Sequence, residues 1–399
     1  MGIVLNGVRE DDAGRVHAEI TVLSVRADGE RTGLLEWGQI NLSSFSAREG
    51  LERVLRKRTA DDPLIDWDKA LRWVCTRTSE GYRQGNPFVD LSEVKVLRGQ
   101  KFLFDRFLPL GETSILYGDG GGGKSLTAAL VGISYELGEH VAGALRPTAS
   151  GRVLYLDYET TEEEQAERVD NLTRGLGLTH RPRFVYRAMQ RIIADDAAAL
   201  RREIDRTGVG LVVIDSMGLA CGNVLELDAV RRFFSALRSF PRHVTKVVVT
   251  HISAEGARQD RGSASPYGLR YIHNYGRSNW ELRAERDDAR GQLDVAMYHR
   301  KANGFALQRP IGLRYSFDPV DGAVGVERFD VLDSPALTAH SGIGDQIIGL
   351  LRAGQAAAPE IAAALDLKQN TVRMQLSRLQ KAGIVQHADG RGSAWVLTA

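Results

Sequence analysis

Apolar positions change period along the chain, and the changes divide it into stretches of different secondary structure. Residues 16–25, VHAEITVLSV, alternate apolar and polar side chains, the pattern of a half-buried strand. The spacing then becomes helical in REGLERVLRKR (48–58) and DWDKALRWVCTRTSEGYRQG (66–85), which predicts a small α+β domain over residues 1–95. Trp67 and Trp73, both on the second of these helices, are expected in its core. Over residues 96–330 short apolar runs, SILYG (114–118), RVLYLDY (152–158), GLVVID (210–215) and KVVVTH (246–251), alternate with helical stretches and glycine-rich turns. That alternation predicts an α/β domain with a mostly parallel sheet. Residues 331–342, which include DSPALTAHS, carry proline, serine and little periodicity and are expected to be a linker. A last unit, 343–399, shows three short helical faces, with Ile347, Leu350 and Leu351 on the first, PEIAAALDL as the second, and Val372, Leu376 and Leu379 on the third. Two strands about the turn Asp389–Gly392 complete it.

Composition narrows the class without naming a partner. The 399 residues are 43% hydrophobic and 26% charged with a net charge of +1, so several folding units are expected and no charged tail announces a ligand. The two cysteines, Cys75 and Cys221, have no metal-ligand spacing and build no disulfide framework. The amino terminus lacks the basic and apolar regions of a signal peptide, and no run is long enough for a membrane span, so a cytoplasmic protein is expected.

The chemistry concentrates at strand ends. Gly118, Asp119, Gly120, Gly121, Gly122, Gly123, Lys124 and Ser125 read GDGGGGKS between the strand SILY and the helix former that begins at Leu126. Such glycines allow a tight turn that points backbone N–H groups at phosphate oxygens; Lys124 would neutralise the β- and γ-phosphates and the Ser125 hydroxyl would join a Mg²⁺ shell. A metal-nucleotide site also needs a carboxylate at a neighbouring strand's end, and Asp215 follows four apolar residues. Glu159, just past RVLYLDY, is the candidate base for the attacking water, and His251, ending KVVVTH, the candidate γ-phosphate sensor. Taken singly, each has a plainer reading: a glycine-rich surface turn, a turn aspartate, a glutamate favouring a helix dipole, a structural histidine.

With these strands in place the chain resembles RecA-like ATPases over residues 100–320, and among them the plasmid RepA-type hexameric replicative helicases and their phage relatives. The resemblance implies ATP and Mg²⁺ as ligands, catalysis by Glu159, cation binding by Asp215 and sensing by His251. It also implies an arginine finger donated to a neighbour's nucleotide, with Arg261 in RGSA (261–264) the better match and Arg277 in NYGRSNW (274–280) the second. Where related rings end the sheet in Lys-x-Arg, this chain has HRKANG (299–304). Such rings contact DNA through loops that here span 217–226 and 253–270, the second carrying Arg258, Arg261 and Arg270.

The last unit resembles winged helix-turn-helix domains. Gln369, Asn370 and Thr371 would open the helix that enters a major groove, with Arg373, Arg378 and Lys381 along it and Arg391 in the wing near phosphate. The same fold also serves protein–protein contacts. Together these features predict a homo-oligomer, a hexamer in the resembling family, holding single-stranded DNA in its ring and duplex at the winged helix. The function expected is a helicase or translocase of a phage or mobile element. An ATP-controlled loader or regulator on DNA, or a RecA-type recombination ATPase, would carry the same features.

Overall fold

The computed structural model describes residues 1–25, 31–85, 88–95, 102–251, 270–388 and 394–398. They form two compact units, Met1–Arg98 and Gly99–Ala399.

In the first unit β1 (Gly2–Glu10), β2 (Val16–Val25) and β3 (Arg31–Asn41) make an antiparallel meander. One face of β2, with Val16, Ala18, Ile20 and Val22, is buried, as its alternation requires. Against it lie α1 (Phe45–Arg58), capped by Ser44, and α2 (Trp67–Gln84), capped by Asp66. Leu55, Trp67, Leu71 and Cys75 fill the gap, and the indole N–H of Trp67 donates to Thr59 Oγ1 at 3.1 Å. Trp73 departs from the expected core: it is 63% exposed. Trp67, Leu71 and Cys75 recur every fourth residue and take the inward stripe, leaving Trp73 on the outer face.

In the second unit a hairpin of β4 (Phe102–Phe104) and β5 (Leu108–Pro109) precedes the central strands. These are β6 (Thr113–Gly118), β7 (Arg152–Asp157), β8 (Val185–Ala188), β9 (Val209–Asp215) and β10 (Thr245–His251). They pair in parallel in the order β6-β10-β9-β7-β8. β6, β7, β9 and β10 are apolar on both sides, so helices cover both faces. α3 (Lys124–Leu137) and α4 (Glu162–Gly175) pack on one face; α5 (Ile193–Thr207), α6 (Met217–Cys221) and α7 (Leu227–Ser239) pack on the other. Beyond the four strands read from the sequence, the sheet continues past β6. A short helix α8 (Arg270–Tyr275) leads to β11 (Ser278–Asp287), parallel to β6, and then to antiparallel β12 (Gln292–Ala302), β13 (Ile311–Phe317) and β14 (Val324–Phe329). The result is the mixed α/β domain with a mostly parallel central sheet that the strand–helix alternation predicts.

The stretch read as a linker has structure of its own, a 3₁₀ turn at Val331–Asp333 and a helix α9 (Pro335–Thr338). Val331 and Leu337 are buried with Ala296 and Tyr298 of β12. After it come α10 (Ile343–Arg352), β15 (Ala356–Ala357), α11 (Ala358–Ala364), α12 (Gln369–Lys381), β16 (Val385–His387) and β17 (Ala394–Leu397). The three strands form one small sheet around a core of Ile347, Leu351, Ile361, Val372, Leu376 and Val385. Among the described residues no helix is long and apolar enough to cross a membrane.

Candidate nucleotide site and helix-turn-helix

The order of the strands builds the site. Asp157 pairs with Asp215 across β7 and β9, Val249 with Asp215 across β9 and β10, and His251 with Gly118 across β10 and β6. Four carboxyl ends are therefore level along one edge, where an open α/β sheet places its ligands. The chain reverses direction along the sheet here, since β6 is separated from β7 by β10 and β9.

The phosphate loop leaves β6 at Gly118 and enters α3 through Gly123, whose φ of +75° suits glycine. A Cβ on Gly123 would sit 2.8 Å from Val295 Cγ2. Lys124 is buried and its ammonium donates to the carbonyls of Gly118 at 3.1 Å and Asp119 at 2.6 Å. Burial lowers its pKa, while the carboxylates of Asp215, Glu159 and Asp119 pull the other way. Gly121, Gly122, Gly123, Lys124, Ser125 and Leu126 line a cleft of about 360 Å³ with Glu159, Asp215 and His251. Lys124, Glu159, Asp215 and His251, more than a hundred residues apart at the extremes, thus meet in one place.

Asp215 is only 2% exposed. Its Oδ2 accepts from the Tyr155 hydroxyl at 2.7 Å, and its Oδ1 is buried with no hydrogen-bond partner. Burial pushes its carboxyl pKa up, against the opposing pull of the Tyr155 and Ser125 hydroxyls. A buried carboxylate oxygen with no hydrogen-bond partner, beside a hydroxyl, is a hard-oxygen donor set that fits Mg²⁺, which Ser125 and Asp215 would hold.

Glu159 is fixed from two sides. The buried Asp157 carboxylate accepts from the backbone N–H groups of Glu159 at 2.9 Å and Thr160 at 3.0 Å, and from the Thr160 hydroxyl at 2.7 Å. The Ser216 hydroxyl donates to Glu159 Oε1, and His251 Nε2 is 3.8 Å from the same oxygen. Asp157, Tyr155 and Ser216, which sequence reading did not single out, hold the candidate residues Glu159 and Asp215 in place. Their only signal was adjacency to Glu159 and Asp215. Arg168, Arg286, Leu293 and Phe317 also line the cleft, the last three from the antiparallel half of the sheet.

Arg277 is elsewhere. Its backbone N–H donates to the Thr113 carbonyl, at the opposite end of β6 from Gly118, and its side chain lies 3.6 Å from Glu112. Arg300 and Lys301 of the HRKANG segment are engaged within the chain, with Glu281 and with the carbonyls of His273 and Asn274. Arg258, Arg261 and Arg391 lie outside the described residues, as does the side chain of Arg270.

Residues 87–257 match the family model described as an AAA domain. The central domain is a P-loop ATPase domain. Downstream of this ATPase domain, residues 346–387 match the model described as bacterial regulatory protein, arsR family, a helix-turn-helix. Among solved structures, a KaiC-like protein from the hyperthermophilic archaeon Pyrococcus horikoshii is 14% identical, covering 58% of this chain and 97% of that one with a TM-score of 0.38. A search of curated proteins gives no match. In the helix-turn-helix, α12 buries Val372 and Leu376 and turns Asn370, Arg373, Arg378 and Lys381 outward, with Gln369 and Thr371 half-buried in its first turn. Arg373, Arg378 and Lys381 make no ion pair among the described residues.

Proposed function

We propose that this chain is an ATP-hydrolysing motor that acts on DNA, an oligomeric helicase or translocase of a phage or mobile element. The observation that carries the reading is the convergence of Lys124, Glu159 and Asp215 in one cleft, in a chain that also carries a helix-turn-helix whose cationic face makes no ion pair among the described residues. The loop N–H groups and Lys124 bind the phosphates of ATP. Mg²⁺, held by Ser125 and Asp215, supplies neutralisation of the phosphate charge. Glu159, steadied by Ser216, takes a proton from the water whose oxygen attacks the γ-phosphorus as the bond to the ADP oxygen breaks. His251 stands beside Glu159, where it reads the presence of the γ-phosphate. Arg261 or, second, Arg277, which lies away from its own cleft, serves a neighbouring copy's nucleotide, which makes the active form a homo-oligomer, hexameric in this reading. Single-stranded DNA is carried by residues 217–226, whose first half is the helix α6, and by residues 253–270, which fall almost wholly outside the described residues, and α12 contacts duplex with Asn370, Arg373, Arg378 and Lys381.

A second reading, an ATP-controlled loader or regulator, is favoured by the packing of the 331–342 segment against β12. Forked DNA separates the two. The motor displaces a strand with ATP, Lys124→Ala abolishes displacement, and duplex binding survives in that variant. Nucleotide-dependent duplex binding with no displacement from forks of either polarity would transfer the assignment to the regulator.

A further inference from the structure

β11 runs beside the phosphate-loop strand, with Leu282 paired to Gly118, so Arg283 emerges next to the loop itself. Its Nη1 is 3.7 Å from Asp119 Oδ2, and its Nε donates to Glu281 Oε1 at 2.7 Å. Glu281 is fully buried, and its second oxygen accepts from Arg300 Nε at 2.7 Å. Arg300 is the extra residue at a register shift between β11 and β12, which aims its side chain across the sheet. Its Nη2 donates to the His340 carbonyl at 2.7 Å. Beside it the Tyr298 hydroxyl donates to the Leu337 carbonyl at 2.5 Å, and the Arg300 guanidinium lies 4.7 Å over the Tyr298 ring. The anchored segment passes directly into the helix-turn-helix. Gln346 of α10 donates to the Ala339 and Ser341 carbonyls, and Arg352 pairs with Asp330 and Asp333.

A buried Arg–Glu–Arg triad is an expensive way to stabilise a fold, because three desolvated charges replace apolar packing. This one has an end at each functional part of the unit. We propose that it is a relay through which nucleotide at the phosphate loop loosens the segment anchoring the helix-turn-helix; this rests on the nucleotide reading of the cleft and specifies its regulation. Polyphosphate brings several negative charges to the loop beside Asp119, and these draw the Arg283 guanidinium away from Glu281. Glu281, fully buried, then draws the Arg300 guanidinium more strongly. The Arg300 fork turns squarely onto that carboxylate, as bidentate geometry favours, and releases the His340 carbonyl. Coupling of this kind is reciprocal, so duplex DNA on α12 that favours the released segment also tightens nucleotide binding.

The test is hydrogen exchange of the full chain, with and without ATPγS and Mg²⁺, with calorimetry of the same samples to establish occupancy. Amides of residues 335–346 should exchange about tenfold faster when nucleotide is bound, the scale of one charge-assisted hydrogen bond. Glu281→Gln should flatten that response while nucleotide still binds. If that variant fails to melt cooperatively, Arg300→Lys, which keeps the charge but loses the fork, reads the same link. Bound nucleotide with unchanged exchange in the wild-type chain overturns the relay, as does a response of full size in either folded variant. Failure of ATPγS to bind at all would instead sink the cleft reading, and the relay with it.

Discussion

Replacing Tyr155 by phenylalanine isolates one of the two hydroxyls that favour the ionised form of the buried Asp215 carboxylate. The ring stays in its packed position and only the hydroxyl 2.7 Å from Asp215 Oδ2 is lost. Oδ1 lacks a partner, so the variant leaves the carboxylate, in a site that is 2% exposed, with the Ser125 hydroxyl as its remaining hydroxyl support. A hydrogen bond to a charged group contributes about 1.5–3 kcal/mol. Its loss removes one of the pulls that oppose burial, so the Asp215 pKa rises further. The native carboxyl already sits above its ordinary value of 3.8 because of burial. Under the proposed function Asp215 would hold a cation only when ionised, so the acid limb of the ATPase pH profile should move upward. Activity well above the limb should recover at raised Mg²⁺. The linkage sign agrees. A folded pKa above the unfolded one means that stability is present while the carboxyl is protonated and lost as pH rises through the folded value. In the nucleotide-free protein Tyr155→Phe should therefore melt lower than wild type above that pH, with the gap closing below it. Steady-state hydrolysis across pH, with thermal melts in matching buffers, measures both. An acid limb that stays in place while activity falls uniformly would refute the role given to this tyrosine.

Three further outcomes check other parts of the reasoning. Glu159→Gln should lower kcat by about 10²–10⁴ with nucleotide affinity nearly intact, whereas Ser216→Ala, which removes one hydrogen bond from Glu159, should cost about two- to tenfold in kcat; single-turnover hydrolysis beside nucleotide titration separates the two. Gly123→Ala forces a side chain into a φ of +75° and against Val295, costing about 1–2 kcal/mol of stability and roughly 2–8 °C in Tm, seen by differential scanning fluorimetry; an unchanged melt would mean that the loop relaxes freely. Arg373→Ala should weaken duplex binding evenly across sequences and reduce the salt slope by about 1, measured by anisotropy titrations at several salt concentrations.

The phosphate loop, the four apolar strands of the parallel core and the carboxyl-terminal helix-turn-helix were legible in the sequence. Each is a local signal: a glycine spacing, an apolar run, a helical face closing on Leu376. Periodicity reports which side of an element is buried, not which strand pairs with which. Only the tertiary structure put β10 and β9 between β6 and β7, and so brought Glu159, Asp215 and His251 to the edge where Lys124 waits. Contacts between residues far apart in sequence were beyond local reading for the same reason. Tyr155 meets Asp215 across sixty positions, and Ser216 meets Glu159 across fifty-seven. The antiparallel extension, the Arg283–Glu281–Arg300 triad it carries and the outward turn of Trp73 depend likewise on which neighbours the folded chain supplies. The loop motif alone would suit any phosphate binder; strand order set two carboxylates and a histidine beside it.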